Sequence, residues 1–171
     1  MNISLIGYRG SGKSAVGRAL AGAIHFSFAD TDDLIEKRTG RSIREIFEQQ
    51  GEPAFRATEI QVVAEVVVGD EQVIACGGGV VLNPVNTRAL RKAGKVVWLR
   101  ADAKELHRRI HADPTTADRR PNLTVAGGLE EIRRLLAVRT PLYQSAAHVV
   151  IDTDGYAVEE IVAMVRKELE L

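Results

Sequence analysis

Residues Gly7 to Ser14, GYRGSGKS, carry the spacing G-x-x-x-x-G-K-S between an apolar run, Asn2 to Ile6, and the helix-like pattern SGKSAVGRALAGAI. In that context the residue types describe an anion site. Glycines let the backbone wrap with several N–H groups pointing inward, and a helix N-terminus adds partial positive charge. Gly10, Ser11, Gly12, Lys13, Ser14 and Ala15 then form the phosphate-contacting run. Lys13, expected as an accessible charge, reaches the β- and γ-phosphates, and the Ser14 hydroxyl ligates Mg2+. The pattern implies a nucleoside triphosphate, and the absence of a guanine-reading N-K-x-D stretch favours ATP over GTP. It leaves the reaction open among a small-molecule kinase, a GTPase-like switch and the ATPase module of a larger assembly.

Other groups could turn phosphate binding into phosphoryl transfer. Asp30-Thr31-Asp32 sets two carboxylates one residue apart at the end of an apolar segment; on an extended chain they share a face. One can hold a magnesium shell while the other orients and deprotonates an acceptor hydroxyl. Asp32 and Asp33 also precede a helical run and can cap it. In FRATE, Arg56 and Glu59 stand three apart on a helix beside Phe55, which in isolation is an ordinary solvated ion pair. Arg139, in RTPLY, is in isolation a surface charge, with Pro141 interrupting the helical pattern and able to bend it toward a cleft. VIACGGGV, residues 73 to 80, sets three glycines behind a short apolar run, and alone it reads as a loose turn after a strand.

The elements that must position these groups alternate. Asn2 to Ile6 reads as a strand and the run after Gly12 as a helix. After FSFAD come helices over Thr31 to Arg38 and Ser42 to Gln50, split at Gly40, with Ser42 and Glu45 spaced for a capping box. A helix over Pro53 to Val68 precedes the strand QVIAC. Asn83 then caps a helix opened by Pro84, KVVWL is a strand, and Asp102 caps a further helix. From His111 to Val125 the chain loses periodicity and gains proline and charge, which predicts a mobile loop. A helix from about Leu129 to Ala146, the strand HVVID and an amphipathic C-terminal helix follow. The alternation implies a parallel α/β sheet.

The 171 residues suit one domain. Hydrophobic residues make up 45%, and 23 Lys+Arg balance 23 Asp+Glu, which points away from disorder and from a nucleic-acid partner. The single cysteine, Cys76, cannot build an internal disulfide and reads as a small buried hydrophobe at a strand end, in keeping with a reducing compartment. With no leader pattern before Asn2 and no apolar run near the roughly 20 residues that span a bilayer, a cytoplasmic protein without a membrane partner is expected.

Taken in order, these segments resemble the shikimate kinase family over nearly the whole chain. GYRGSGKS is similar to its phosphate loop, Asp30 and Asp32 to its D-x-D, FRATE to its F-R-x-x-E helix and Gly77 to Gly79 to its glycine loop. Arg120-Pro121 matches its lid arginine-proline, RTPLY its R-x-P-L-Y, and TGRSI at 39 to 43 is similar as well. The resemblance implies a three-layer α/β/α phosphate-loop kinase, nucleoside-monophosphate-kinase-like, with a five-stranded parallel sheet. It implies a single kinase domain over 1–171, with a lid at about 111–125 and an acceptor-binding helical region at about 31–62. The activity implied is ATP-dependent phosphorylation of the shikimate 3-hydroxyl in aromatic amino-acid biosynthesis, with ATP and Mg2+ bound, in an enzyme expected to be a monomer.

By the same resemblance Arg56 and Arg139 clamp the shikimate carboxylate, with Glu59 holding Arg56. Asp32 binds ring hydroxyls and acts as base or orienter, Asp30 serves the magnesium shell, and Phe47 and Phe55 wall the pocket. Gly77, Gly78 and Gly79 line the acceptor pocket, Gly78 offering its N–H. Arg120 closes over the phosphates, and Arg109 neighbours adenine. Two positions depart from the pattern: Ala15 stands where the family usually has Thr, and Asp154-Gly155 follows the last strand where members often place a basic residue. A kinase of another polyhydroxy acid, such as gluconate, would share the phosphate machinery, but the two arginines and the triple glycine argue against it. An ATP-binding regulatory module would need neither Asp32 nor the arginines.

Overall fold

The structure, a computed structural model, describes residues 1–113 and 128–171. Strand β1 (Asn2–Ile6) is buried along its whole length, as a central parallel strand must be. It is followed by α1 (Lys13–Ile24), β2 (Ser27–Asp30), α2 (Thr31–Thr39), α3 (Ile43–Gln50), α4 (Glu52–Val66) and β3 (Gln72–Ala75). After a 3₁₀ turn at Val80–Leu82 come α5 (Pro84–Ala93), β4 (Gly94–Arg100), α6 (Ala103–Ala112), α7 (Gly128–Ala146), β5 (Val149–Asp152) and α8 (Val158–Leu169). The five strands pair in parallel in the order β2-β3-β1-β4-β5.

Two apolar layers cover the sheet. Ile3 and Leu5 pack with Val16 and Leu20 of α1 and with Ile161 and Val165 of α8. Ile6 and Ile74 pack on the other face with Val63 of α4, Leu90 of α5 and Tyr143 of α7. Each fully buried Val, Leu or Ile contributes roughly 1.5–3 kcal/mol. Ile35, Ile46, Phe55 and Val62 weld α2, α3 and α4 into a helical annex, and Tyr8, Leu106, Ile110 and Ile132 pack α6 and α7 beside the phosphate loop.

The register levels the strand ends that matter. Ala75 pairs with Leu5 of β1 and with Asp30 of β2, so Gly7, Asp30 and the glycine run leave the sheet side by side. The chain departs from β1 through α1 on one face and from β3 through α5 on the other, which opens a crevice beyond the carboxyl ends of these neighbours.

Several expectations need correcting. Helix α2 starts at Thr31, so Asp30 is its cap, accepting from the Asp32 and Asp33 N–H groups at 2.9 and 3.4 Å. The helix start expected at Thr31 stands, the cap expected at Asp32 or Asp33 is two or three residues earlier, and Asp30 and Asp32 straddle a strand–helix junction instead of sharing an extended segment. Helix α4 ends at Val66, short of Val68. Asp102 stands at the cap position of α6 without a side-chain cap bond; its N–H donates to the Asp154 carboxylate at 3.1 Å instead. Helix α6 continues through Ala112, so the loss of order expected from His111 does not begin there. The rest of the expected lid, with Arg119, Arg120 and Pro121, lies outside the described residues. Helix α7 runs unbroken past Pro141; the proline forfeits one backbone bond, but Tyr143 and Ala146 beyond it are buried against the sheet and hold the last turns in place. The Ser42–Glu45 capping box is present, and Asn83 caps α5 as expected. Among the described residues no helix is long and apolar enough to cross a membrane.

Candidate active site

The phosphate loop turns on left-handed glycines: Gly10 and Gly12 have φ of 83° and 95°, a region that favours glycine. Lys13 opens α1 and is only 9% exposed, not the accessible charge expected, because its stem lies in the loop it serves. Its ammonium donates to the carbonyls of Gly7 at 2.8 Å and Tyr8 at 2.9 Å.

Next to it, Ser14 Oγ donates to Asp30 Oδ2 at 2.6 Å, while Asp30 Oδ1 caps α2. Burial raises the Asp30 carboxyl above its ordinary value; the Ser14 hydrogen bond opposes this, and the charges of Asp32 and Asp33 reinforce it. Among the described residues no three His, Cys, Asp or Glu side chains gather as a metal cage. A hydroxyl and a carboxylate beside a phosphate cradle nevertheless suit Mg2+, which takes one or two carboxylates and completes its shell with water and phosphate oxygens.

These groups face one cavity of about 520 Å³, lined by Gly10, Gly12, Lys13, Ser14 and Ala15 of the loop, by Asp30 and Asp32, by Gly77 and Gly78, and by Arg109. A second cavity of about 510 Å³ shares Gly12 and Arg109 with the first and is walled by Ser11 and by Gly155, Tyr156 and Val158. Arg109 is fixed between the two. It donates to Glu105 at 2.8 Å and to the hydroxyl and carbonyl of Thr153, each at 3.1 Å. Hydrogen bonds from Arg108 first, and then Arg109, hold the Glu105 carboxyl down at about 2.

The acceptor-side residues converge on the glycine loop. Arg139 is 5% exposed, not a surface charge, and its guanidinium lies 5.7 Å over the Tyr8 ring. Its Nη1 lies 3.7 Å from where a Cβ on Gly78 would sit. Arg56 lies 5.0 Å over Phe55 and donates to Glu59 at 2.9 Å and to Glu52 at 3.2 Å. Glu59 is 1% exposed, so this pair is no solvated surface bridge. A Cβ on Gly79 would collide with the Arg56 guanidinium, and one on Gly78 would press on the Arg9 N–H at 3.2 Å. Close approach, not backbone conformation, is thus what disfavours a side chain at Gly78 and Gly79, since Gly79 has an ordinary negative φ. Phe47 and Phe55 meet at 4.9 Å, but Phe55 has no exposed surface and belongs to the annex core. Any aromatic wall is thus Phe47, with Phe55 packed behind it and beneath Arg56. Cys76 is buried, and burial pushes its thiol up, as a small hydrophobe at a strand end requires.

Sequence reasoning passed over three residues here. Arg9, an unspecified position of the phosphate-loop pattern, lines the first cavity. Thr31, between the two carboxylates, and Tyr143, four residues after Arg139, each reach the glycine loop through a hydroxyl. Only their place inside the motifs marked them.

A phosphate cradle at the switch point of a parallel sheet, opening onto a carboxylate and an arginine-flanked recess, defines a phosphate-loop kinase of small molecules. Known proteins narrow the class. The family described as shikimate kinase matches residues 9–170. A shikimate kinase of Symbiobacterium thermophilum is 45% identical over 170 residues, 99% of this chain and 97% of that protein. Shikimate kinase 2 of Sodalis glossinidius is 41% identical over 168 residues, 98% of this chain and 95% of that one. The structure of a shikimate kinase from Acinetobacter baumannii in complex with shikimate matches with a TM-score of 0.91 at 35% identity, covering 99% of this chain and 93% of the other. The chain belongs to the shikimate kinase family.

Proposed function

We infer that the chain transfers the γ-phosphoryl group of ATP to the 3-hydroxyl of shikimate, giving shikimate 3-phosphate and ADP. The observation that carries this reading is the convergence of Arg56 and Arg139 on the glycine loop beside the phosphate cradle. Two planar guanidinium groups, one of them held by a buried Glu59, suit a carboxylate on the acceptor.

Asp32 lines the cavity together with the phosphate loop and with Gly77 and Gly78. There it orients the acceptor hydroxyl and takes its proton as the new P–O bond forms and the bond to the ADP oxygen breaks. Ser14 and Asp30 would hold Mg2+, which when bound neutralises charge on the β- and γ-oxygens. Lys13 serves the same phosphates, and Arg109 the nucleoside end of the cavity.

ADP release measured with shikimate, with gluconate and with no acceptor tests the reading. Turnover is expected with shikimate alone; equal rates with gluconate, or release independent of any acceptor, would overturn it. A cytoplasmic monomer belongs to the same proposal, and light scattering on the eluted protein checks the mass against 18.7 kDa.

Arg139→Lys keeps the charge and loses the planar fork. The expected result is a KM for shikimate raised about tenfold with KM for ATP within twofold. Equal shifts for both substrates would place Arg139 outside the acceptor site.

Arg120, which lies outside the described residues, is proposed to meet the transferring phosphoryl group. Arg120→Ala is expected to lower kcat roughly a hundredfold while shikimate binding without nucleotide stays normal. Arg119→Ala, one residue earlier, should be mild. Equal damage from both would reduce the role to a general attraction for ATP.

A further inference from the structure

The glycine loop carries no side chains with which to lock itself, and two buried hydroxyls from opposite sides do so instead. The Gly77 N–H donates to Thr31 Oγ1 at 2.9 Å, and Tyr143 Oη donates to the Gly78 carbonyl at 2.5 Å. Both side chains have 0% exposure. Thr31 is the first residue of α2, between Asp30 and Asp32. Tyr143 lies one helical turn after Arg139 in α7 and stacks on Trp98 at 5.5 Å. Each hydroxyl therefore ties the loop to an element that carries a proposed acceptor contact, Asp32 on one side and Arg139 on the other.

The two anchored atoms bracket the peptide that joins Gly77 to Gly78. Its N–H has no backbone or side-chain acceptor among the described residues, and Gly78 lines the cavity. Glycine leaves this stretch a wide range of φ and ψ, and fixing the N–H before the peptide and the C=O after it holds in place the two Cα atoms that carry it.

We propose that Thr31 and Tyr143 are positioning residues for the acceptor site. Their hydroxyls hold the backbone that carries the Gly78 N–H in place and set the distance between Asp32 and Arg139. Neither touches substrate. The proposal deepens the function argued above and rests on the reading that the glycine loop lines the acceptor pocket.

Thr31→Val and Tyr143→Phe remove the hydroxyls with little change of shape. Each is expected to raise KM for shikimate, and the Kd for shikimate measured by calorimetry without nucleotide, about tenfold, with KM for ATP within twofold. Thr31→Ser, which restores the acceptor oxygen, should bring both values back to within about threefold of the parent. All assays are run well below each variant's melting temperature, so that a purely structural role shows as a lower Tm with both KM values unmoved. That pattern, or equal weakening of both substrates, would overturn the proposal. Should Thr31→Val fail to fold, Tyr143→Phe and Thr31→Ser still decide it: Tyr143→Phe with parental shikimate affinity refutes the brace. A parent enzyme that neither binds nor turns over shikimate would instead overturn the functional reading, and this proposal with it.

Discussion

Lys13→Met is expected to lower kcat by roughly 10²–10³-fold or more, the range found when one positioned donor is removed from developing transition-state charge, while the protein still folds. Methionine keeps the apolar stem that packs in the loop, so the 9% exposed position stays filled. What is lost is an ammonium that donates to the Gly7 and Tyr8 carbonyls and is aimed at the cradle. Those two bonds stabilise the loop, each by about 1.5–3 kcal/mol for a charged donor. The cost of keeping a cation so far from water offsets part of that gain. The net change in stability should be no more than about 2 kcal/mol, or about 4–8 °C in Tm for a chain of this length. Steady-state kinetics with shikimate and a thermal melt check both halves. Retention of more than a tenth of parental kcat would remove Lys13 from the phosphate machinery. A collapse of Tm would show that its first task is to hold the loop's shape.

How far the sequence was legible depended on whether the deciding geometry was local. In GYRGSGKS the glycines, the lysine and the helix start are contiguous, and the structure forms the cradle where the pattern places it. Ser42–Glu45 and Asn83–Pro84 were legible for the same reason, since a cap is a matter of three or four residues. The helix start at Thr31 was legible too, but not that Asp30, instead of Asp32 or Asp33, accepts the cap bonds, since a shift of two or three residues decides which carboxylate meets the free N–H groups. The burial of Arg139 was hidden because it comes from Tyr8 and the glycine loop, more than 60 residues away in sequence. The triple glycine was readable as a motif but not as a cause. Gly78 and Gly79 leave room for the phosphate loop and for Arg56, an approach that no local pattern encodes. The resemblance made Phe55 a pocket wall, yet helical geometry turns it into the annex while Arg56 faces the loop.

The two carboxylates should separate when each is neutralised in turn. Asp32 is half-buried in the first turn of α2 and faces the cavity. Asp32→Asn removes the group proposed to take the acceptor's proton and leaves a side chain of the same size, so kcat should fall by roughly 10²–10⁴-fold, the usual contribution of a positioned acid or base. Its negative charge at the helix N-terminus is worth about 0.3–1 kcal/mol, which sets the expected loss of stability. Asp30 does different work. One oxygen caps α2 and the other accepts from Ser14, and burial disfavours its charge. Asparagine is as good a cap as aspartate, so Asp30→Asn should melt at or slightly above the parent temperature in the absence of magnesium. Its defect should appear with the metal: a higher Mg2+ requirement, and a smaller rise in Tm when Mg2+ and ATP are added together. The Asp32→Asn protein should keep the parental Mg2+ requirement and that full rise in Tm while turning over slowly. Titrating activity against Mg2+ and melting each variant with and without Mg2+ and ATP measures both. If the two variants gave the same profile, the division between a metal-shell carboxylate and a proton-accepting one would fail. The pair would then act as a single charge that draws cations to the cradle.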